Sequence, residues 1–104
     1  MSTTTIDGHV LHVDAEGFLT DPAEWDEQVA TSLAHQIGIE LGEPHWTVLR
    51  YLRSDFAENH ETATLRRVST ALGIPVKQLF ELFPGKPAKK MAYVAGLPKP
   101  RGCV

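Results

Sequence analysis

Cysteine is nearly missing from this chain: among 104 residues there is one, Cys103, and it is the second-to-last. A lone cysteine closes no internal disulfide, which suits a reducing compartment and excludes a disulfide-built secreted scaffold. Long apolar runs are missing too. None approaches the roughly 20 residues that cross a bilayer. The opening Met1-Ser2-Thr3-Thr4-Thr5-Ile6-Asp7 has neither the basic nor the apolar region of a signal peptide. The expectation is a soluble cytoplasmic protein without a membrane partner.

The usual signatures of catalysis and cofactor binding are also missing. There is no Gly-x-Ser-x-Gly, no P-loop and no Gly-x-Gly-x-x-Gly. The histidines are His9, His12, His35, His45 and His60. His9 and His12 fall on a predicted strand, where positions i and i+3 face opposite ways, and no second pair has ligand spacing. No metal and no cofactor are expected. Asp21, Glu24, Asp26 and Glu27 crowd a predicted helix start, where capping and the helix dipole account for them without acid–base chemistry.

What is present reads as one small domain, since 104 residues leave no room for a second core. Ile6-Asp7-Gly8-His9-Val10-Leu11 places Asp-Gly between apolar stretches, so a hairpin is predicted over about 4–12, followed by a turn at Asp14-Ala15-Glu16-Gly17. Asp21-Pro22-Ala23-Glu24 predicts a capped helix start with Glu24 completing a capping box, and Trp25, Val29, Leu33 and Ile37 form its i+4 stripe up to Gly38. A second helix opens at Gly42-Glu43-Pro44 with Trp46, Leu49, Leu52 and Phe56 inward, ending near Asn59-His60. Thr62 or Thr64 caps a third, carrying Leu65, Val68 and Leu72 and closed by Gly73. Pro75 opens a fourth, stopped by Pro84-Gly85, and Pro87 a fifth, from Ala88 to about Ala95 with Gly96 just beyond its end. The predicted fold is mainly α: a small orthogonal helical bundle with an N-terminal β-hairpin and a flexible C-terminal arm. The domain takes residues 1–96 and the arm 97–104.

Charge divides along this chain. Residues 1–60 hold 11 Asp and Glu against 2 Arg, a balance of −9, while residues 61–104 hold 8 Lys and Arg against 2 Glu, a balance of +6. The basic part suits an acidic partner surface or nucleic acid, and equally suits pairing with the acidic part of its own chain. Residues 64–80, with Arg66 and Arg67 exposed and a glycine turn between two helices, look like the last two helices of phage-repressor-type DNA-binding domains. In those domains this pair packs the core, and here the preceding helix opens with acidic residues that phosphates repel. DNA is therefore not the expected partner.

The tail remains: Ala95-Gly96-Leu97-Pro98-Lys99-Pro100-Arg101-Gly102-Cys103-Val104. Pro98 and Pro100 fix φ and remove backbone donors, so this segment joins neither a helix nor a sheet interior. It presents a thiol on an extended arm beside Lys99 and Arg101, which favour thiolate, while the terminal carboxylate opposes them and exposure weakens both effects. Such an arm suits delivery of Cys103 into another protein's pocket.

These residues resemble the DsrC/TusE family of small sulfur-trafficking proteins, related to the γ component of dissimilatory sulfite reductase. The resemblance runs through Asp14-Ala15-Glu16-Gly17-Phe18-Leu19 and Trp25, Pro44-His45-Trp46 with Val48 and Arg50, Leu82-Phe83-Pro84-Gly85-Lys86-Pro87-Ala88-Lys89, and the final arm. It implies that Cys103 accepts sulfane sulfur as a persulfide and passes it on, from an upstream donor protein to a downstream acceptor enzyme. The chain would then act within a sulfurtransferase relay, as in tRNA 2-thiouridine synthesis or sulfur metabolism, with indirect tRNA contact at most. Pro98, Lys99, Pro100, Arg101, Lys89 and Lys90 would form the partner-facing surface. The DsrC branch carries a second arm cysteine, with ten residues between the two; counted back from Cys103 that place is Ala92 here, which aligns the chain with single-cysteine, TusE-like members. The connection between Val68 and Leu79 is also shorter than in many relatives. The competing expectations are a regulatory or DNA-binding protein without sulfur transfer, and an accessory subunit of a dissimilatory sulfite reductase.

Overall fold

A computed structural model of the chain describes residues 2–100. It contains strands β1 (Ser2–Ile6) and β2 (His9–Val13), a 3-10 turn (Pro22–Glu24), and helices α1 (Glu27–Gln36), α2 (Glu43–Asn59), α3 (Leu65–Leu72), α4 (Val76–Leu82) and α5 (Pro87–Val94). The mainly helical architecture with a hairpin in front is the one the sequence predicts.

The hairpin turns at Asp7 and Gly8, both at positive φ (49° and 84°), the conformation that Asp-Gly favours in a two-residue connection. Its antiparallel register runs from Ser2 opposite Val13 to Ile6 opposite His9, so the strands extend beyond the predicted 4–12. Asp14 shapes the next turn: its Oδ1 accepts from the amides of Glu16 (2.9 Å) and Phe18 (3.0 Å). That turn drives Phe18 and Leu19 into the interior. Ile6, Leu11, Val13 and Leu19 then pack on Val29 and Leu33 of α1, which gives the hairpin the helical support it needs.

The larger core gathers Val48, Leu49 and Leu52 of α2, Val68, Leu79 and Phe83, and Ala88, Met91 and Val94 of α5. Thr64, rather than Thr62, caps α3, its Oγ1 accepting from Arg67 N at 3.2 Å. His45 ties the start of α2 to the end of α4. Its Nδ1 accepts from Gly42 N (3.1 Å), and its Nε2–H donates to Leu82 O (3.0 Å).

The structure corrects the start of the first helix. Asp21 caps only the short 3-10 turn, through Ala23 N, and the chain becomes extended at Trp25 (φ −84°, ψ 141°). A fresh cap at Asp26, accepting from Val29 N at 2.8 Å, then opens α1. Trp25 is thus outside the helix whose stripe it was expected to lead. The break frees the indole to reach across to α5. Glu24 does not complete a capping box either; its carboxylate accepts from His12 N (2.8 Å) and from His12 Nδ1–H (2.6 Å), pinning β2 to the 3-10 turn.

The arm also differs from expectation at its root. Packing continues past Gly96, for Leu97 is 1% exposed and belongs to the larger core. Pro100 is buried as well, while Pro98 is exposed.

Candidate functional site: the root of the C-terminal arm

Helix α5 ends in a Schellman arrangement. Gly96 takes φ +70°, its N–H donates to Tyr93 O (3.2 Å), and Leu97 N–H donates to Ala92 O (3.1 Å). The carbonyls left at the helix end are taken by side chains from elsewhere. Trp25 Nε1–H donates to Val94 O at 2.8 Å. Arg53 Nη1 donates to Ala95 O at 2.8 Å, and its Nη2 to Pro22 O, also at 2.8 Å. The Arg53 guanidinium lies 4.2 Å from the centre of the Trp25 ring, a cation–π contact. Burial lowers the Arg53 pKa from its ordinary value, yet a guanidinium stays charged in proteins.

Gly96 is confined by this arrangement. A Cβ there would lie 2.4 Å from Trp25 Cδ1 and 2.9 Å from Trp25 Cβ, closer than any real contact. Phe18 meets Tyr93 edge-on nearby, with centroids 6.1 Å apart, and burial raises the Tyr93 phenol above its ordinary pKa.

Beyond Gly96 two further contacts hold the chain to the domain. Thr62 Oγ1 donates to Pro98 O at 2.7 Å, and Lys99 Nζ meets Glu16 Oε1 at 3.3 Å. A shallow cleft of about 190 Å³ lies between this segment and Phe56, His60, Glu61 and Thr62.

Of the residues the sequence singles out, Pro98, Lys99 and Pro100 are brought together at this root. Lys89 and Lys90 are half-buried on α5. Arg101 and Cys103 lie outside the described residues. Ala92, the place that the resemblance gives to a second arm cysteine, is fully buried in α5.

Elsewhere, Arg67 is engaged by Asp55: its Nε and Nη2 donate to Asp55 Oδ1 at 2.9 and 2.7 Å, which raises the guanidinium pKa. An open groove of about 700 Å³ runs past this pair. Among the described residues no group of three or more His, Cys, Asp or Glu is placed to hold a metal ion, and no helix is long and apolar enough to cross a membrane.

Sequence reasoning missed Arg53, Glu16 and the role of Thr62. Arg53 left one trace: with Trp46, Leu49 and Phe56 it completes a stripe spaced by three and four along α2, so a cation stands where an apolar side chain is expected.

Comparison with known proteins agrees with this architecture. Residues 5–104 match the family described as DsrC like protein. The chain belongs to the DsrC-like family. It is 36% identical over 105 residues to the sulfurtransferase TusE of Yersinia pseudotuberculosis, covering 94% of this chain and 97% of that relative. Among solved structures it is similar to DsrC of Allochromatium vinosum, with a TM-score of 0.86, 37% identity and 99% and 98% of the two chains covered. It is similar also to the oxidized γ-subunit of the dissimilatory sulfite reductase, DsrC, of Archaeoglobus fulgidus, with a TM-score of 0.82, 38% identity and 99% and 100% coverage. The DsrC-like fold therefore accounts for the whole described chain, arm root included.

Proposed function

We propose that this DsrC-like chain is a sulfur carrier working in the cytoplasm, taking sulfane sulfur on Cys103 from a donor protein and delivering it to an acceptor enzyme. The observation that carries this reading is end-to-end similarity to proteins named sulfurtransferases, in a chain whose only cysteine stands at position 103 of 104. In the loading step the Cys103 thiolate attacks the outer sulfur of a donor persulfide. A new sulfur–sulfur bond forms at Cys103, the donor's sulfur–sulfur bond breaks, and its electron pair leaves on the donor thiolate. No net oxidant is needed. Delivery repeats the exchange with the acceptor as attacking group.

Ala92 bears on the outcome. With no second cysteine, the chain cannot close a disulfide within itself, so the loaded sulfur leaves only to another molecule. Lys89, Lys90, Lys99 and Arg101 supply positive charge for an acidic pocket entrance or for the phosphates of an acceptor-bound tRNA. A tRNA-thiolating enzyme and an enzyme of inorganic sulfur metabolism are the two acceptor classes of this reading.

Incubation with inorganic polysulfide followed by intact mass measurement tests the loading step. Wild type is expected to gain sulfur reversibly, removable by dithiothreitol, and Cys103→Ser to gain none. Uptake that persists in Cys103→Ser would overturn the proposal. A second reading, a docking subunit of a sulfite reductase, draws on the similarity to the Archaeoglobus fulgidus γ-subunit. It predicts stable co-purification with that enzyme even for Cys103→Ser.

A further inference from the structure

The charge on Arg53 is placed unusually. Among the described residues no carboxylate forms an ion pair with it; the described ion pairs are His12–Glu24, Arg67–Asp55 and Lys99–Glu16. Its two Nη groups instead serve backbone carbonyls from opposite directions, Pro22 O in the 3-10 turn and Ala95 O at the end of α5. The face of the guanidinium lies on Trp25, and the Trp25 Nε1–H takes the preceding carbonyl, Val94 O. Two consecutive carbonyls immediately before Gly96 are therefore held by two side chains that also hold each other.

We propose that Arg53, seated on Trp25, is a positioning residue: it fixes the end of α5 and so sets the direction in which the C-terminal arm leaves the domain. A helix end presents unpaired carbonyls and partial negative charge, and a cation there locks both the last turn and the peptide that follows. Fraying of that turn would free Gly96, whose backbone has the widest choice of any residue, and the exit direction would be lost. With the turn locked, the indole fills the space beside Gly96, where a Cβ would lie 2.4 Å from Trp25 Cδ1. Leu97 then seats in the core and Thr62 receives the next segment at Pro98 O. For a carrier, a fixed exit direction reduces the orientational freedom lost when the arm enters a partner. That last consequence rests on the sulfur-carrier reading; the positioning itself does not.

The experiment uses the full chain and three variants, Arg53→Gln, Arg53→Lys and Trp25→Phe. Amide hydrogen exchange of Gly96 and Leu97 reports the α5 terminus, and the amides of Val48 and Leu52 in α2 report the whole domain. A nitroxide on Cys103, the only thiol, reports through the broadening it causes which face of the domain the arm tip visits. Arg53→Gln is expected to speed Leu97 exchange about tenfold with Val48 and Leu52 changed less than about twofold, because a terminal turn opens locally when its partners are removed. It should also redistribute the nitroxide broadening over other amides. Arg53→Lys, which can serve one carbonyl at a time, should fall between wild type and Arg53→Gln, and Trp25→Phe should resemble it. Should Arg53→Gln fail to fold, the other two carry the test. Unchanged Leu97 exchange and broadening in the folded variants would overturn the proposal, as would a parallel rise at Leu97, Val48 and Leu52, which marks mere loss of stability. Polysulfide loading of the same proteins is read separately: its failure in wild type would sink the carrier reading and leave the positioning result standing.

Discussion

Gly96 and Trp25 are fitted to each other at atomic distance. A methyl group at 96 would meet Trp25 Cδ1 at 2.4 Å, on a backbone already at φ +70°. Left-handed backbone costs a non-glycine residue about 1–2 kcal/mol, and overpacking adds about 1–3 kcal/mol. Gly96→Ala should therefore lower stability by about 2–5 kcal/mol in urea unfolding, and a loss under about 1 kcal/mol would mean that the indole simply moves aside. Glu24 gives a prediction of a different kind. The hydrogen bond from the His12 backbone, reinforced by its ring, holds the Glu24 carboxyl below its ordinary value of 4.5. A carboxyl with a lower pKa folded than unfolded stabilises the fold above the unfolded value and loses that contribution as pH falls through the folded one. The stability gap between wild type and Glu24→Gln should be full at pH 6 and shrink steadily below about pH 4.5. A gap that widens on acidification would refute this sign. Neither constraint is visible in the sequence: Gly96 reads only as a helix stop, and Glu24 reads as a cap.

At the scale of elements, the first helix and the arm root show where local pattern stops being sufficient. Val29 and Leu33 keep the inward positions their spacing gives them. Trp25, four residues earlier on the same stripe, does not, because a hydrogen bond to Val94 O and the Arg53 guanidinium hold it outside the helix. Asp26 makes that exchange inexpensive by capping the shortened helix. The arm root follows the same logic. Pro98 and Pro100 correctly mark the end of regular structure, yet Leu97 between them and Gly96 is core. Leu97→Ala should cost about 2–5 kcal/mol, as for a buried leucine elsewhere, with thermal or urea unfolding as the measurement. A cost near zero would show that the domain ends at Gly96 after all. Thr62→Val, which removes only the donor to Pro98 O, should cost about 0.5–1.5 kcal/mol, the net value of one hydrogen bond.

Across the whole molecule, two apolar clusters are joined by the same two side chains. Trp25 and Tyr93 pack against both the hairpin cluster and the helical core. The hairpin, marginal alone, should therefore melt with the helices in one transition, far- and near-ultraviolet circular dichroism giving coincident curves. An early loss of hairpin signals would show the clusters to be independent. The Cα radius of gyration, 12.6 Å, is near the value of about 13 Å expected for a compact chain of this length. The acidic and basic parts of the chain meet in part at Arg67–Asp55 and Lys99–Glu16, so a share of the charge division is used internally.

The sequence by itself determined the order of elements, the Asp-Gly hairpin, the proline and glycine boundaries, and the place of the lone Cys103, because each depends on local backbone preference or on composition. Tertiary structure alone decided that Trp25 leaves its helix, that Arg53 serves Ala95 and Pro22, and that Leu97 closes the core. Those contacts join residues 31 to 69 positions apart, and no spacing rule within one helix or strand can anticipate a partner that only chain folding brings near.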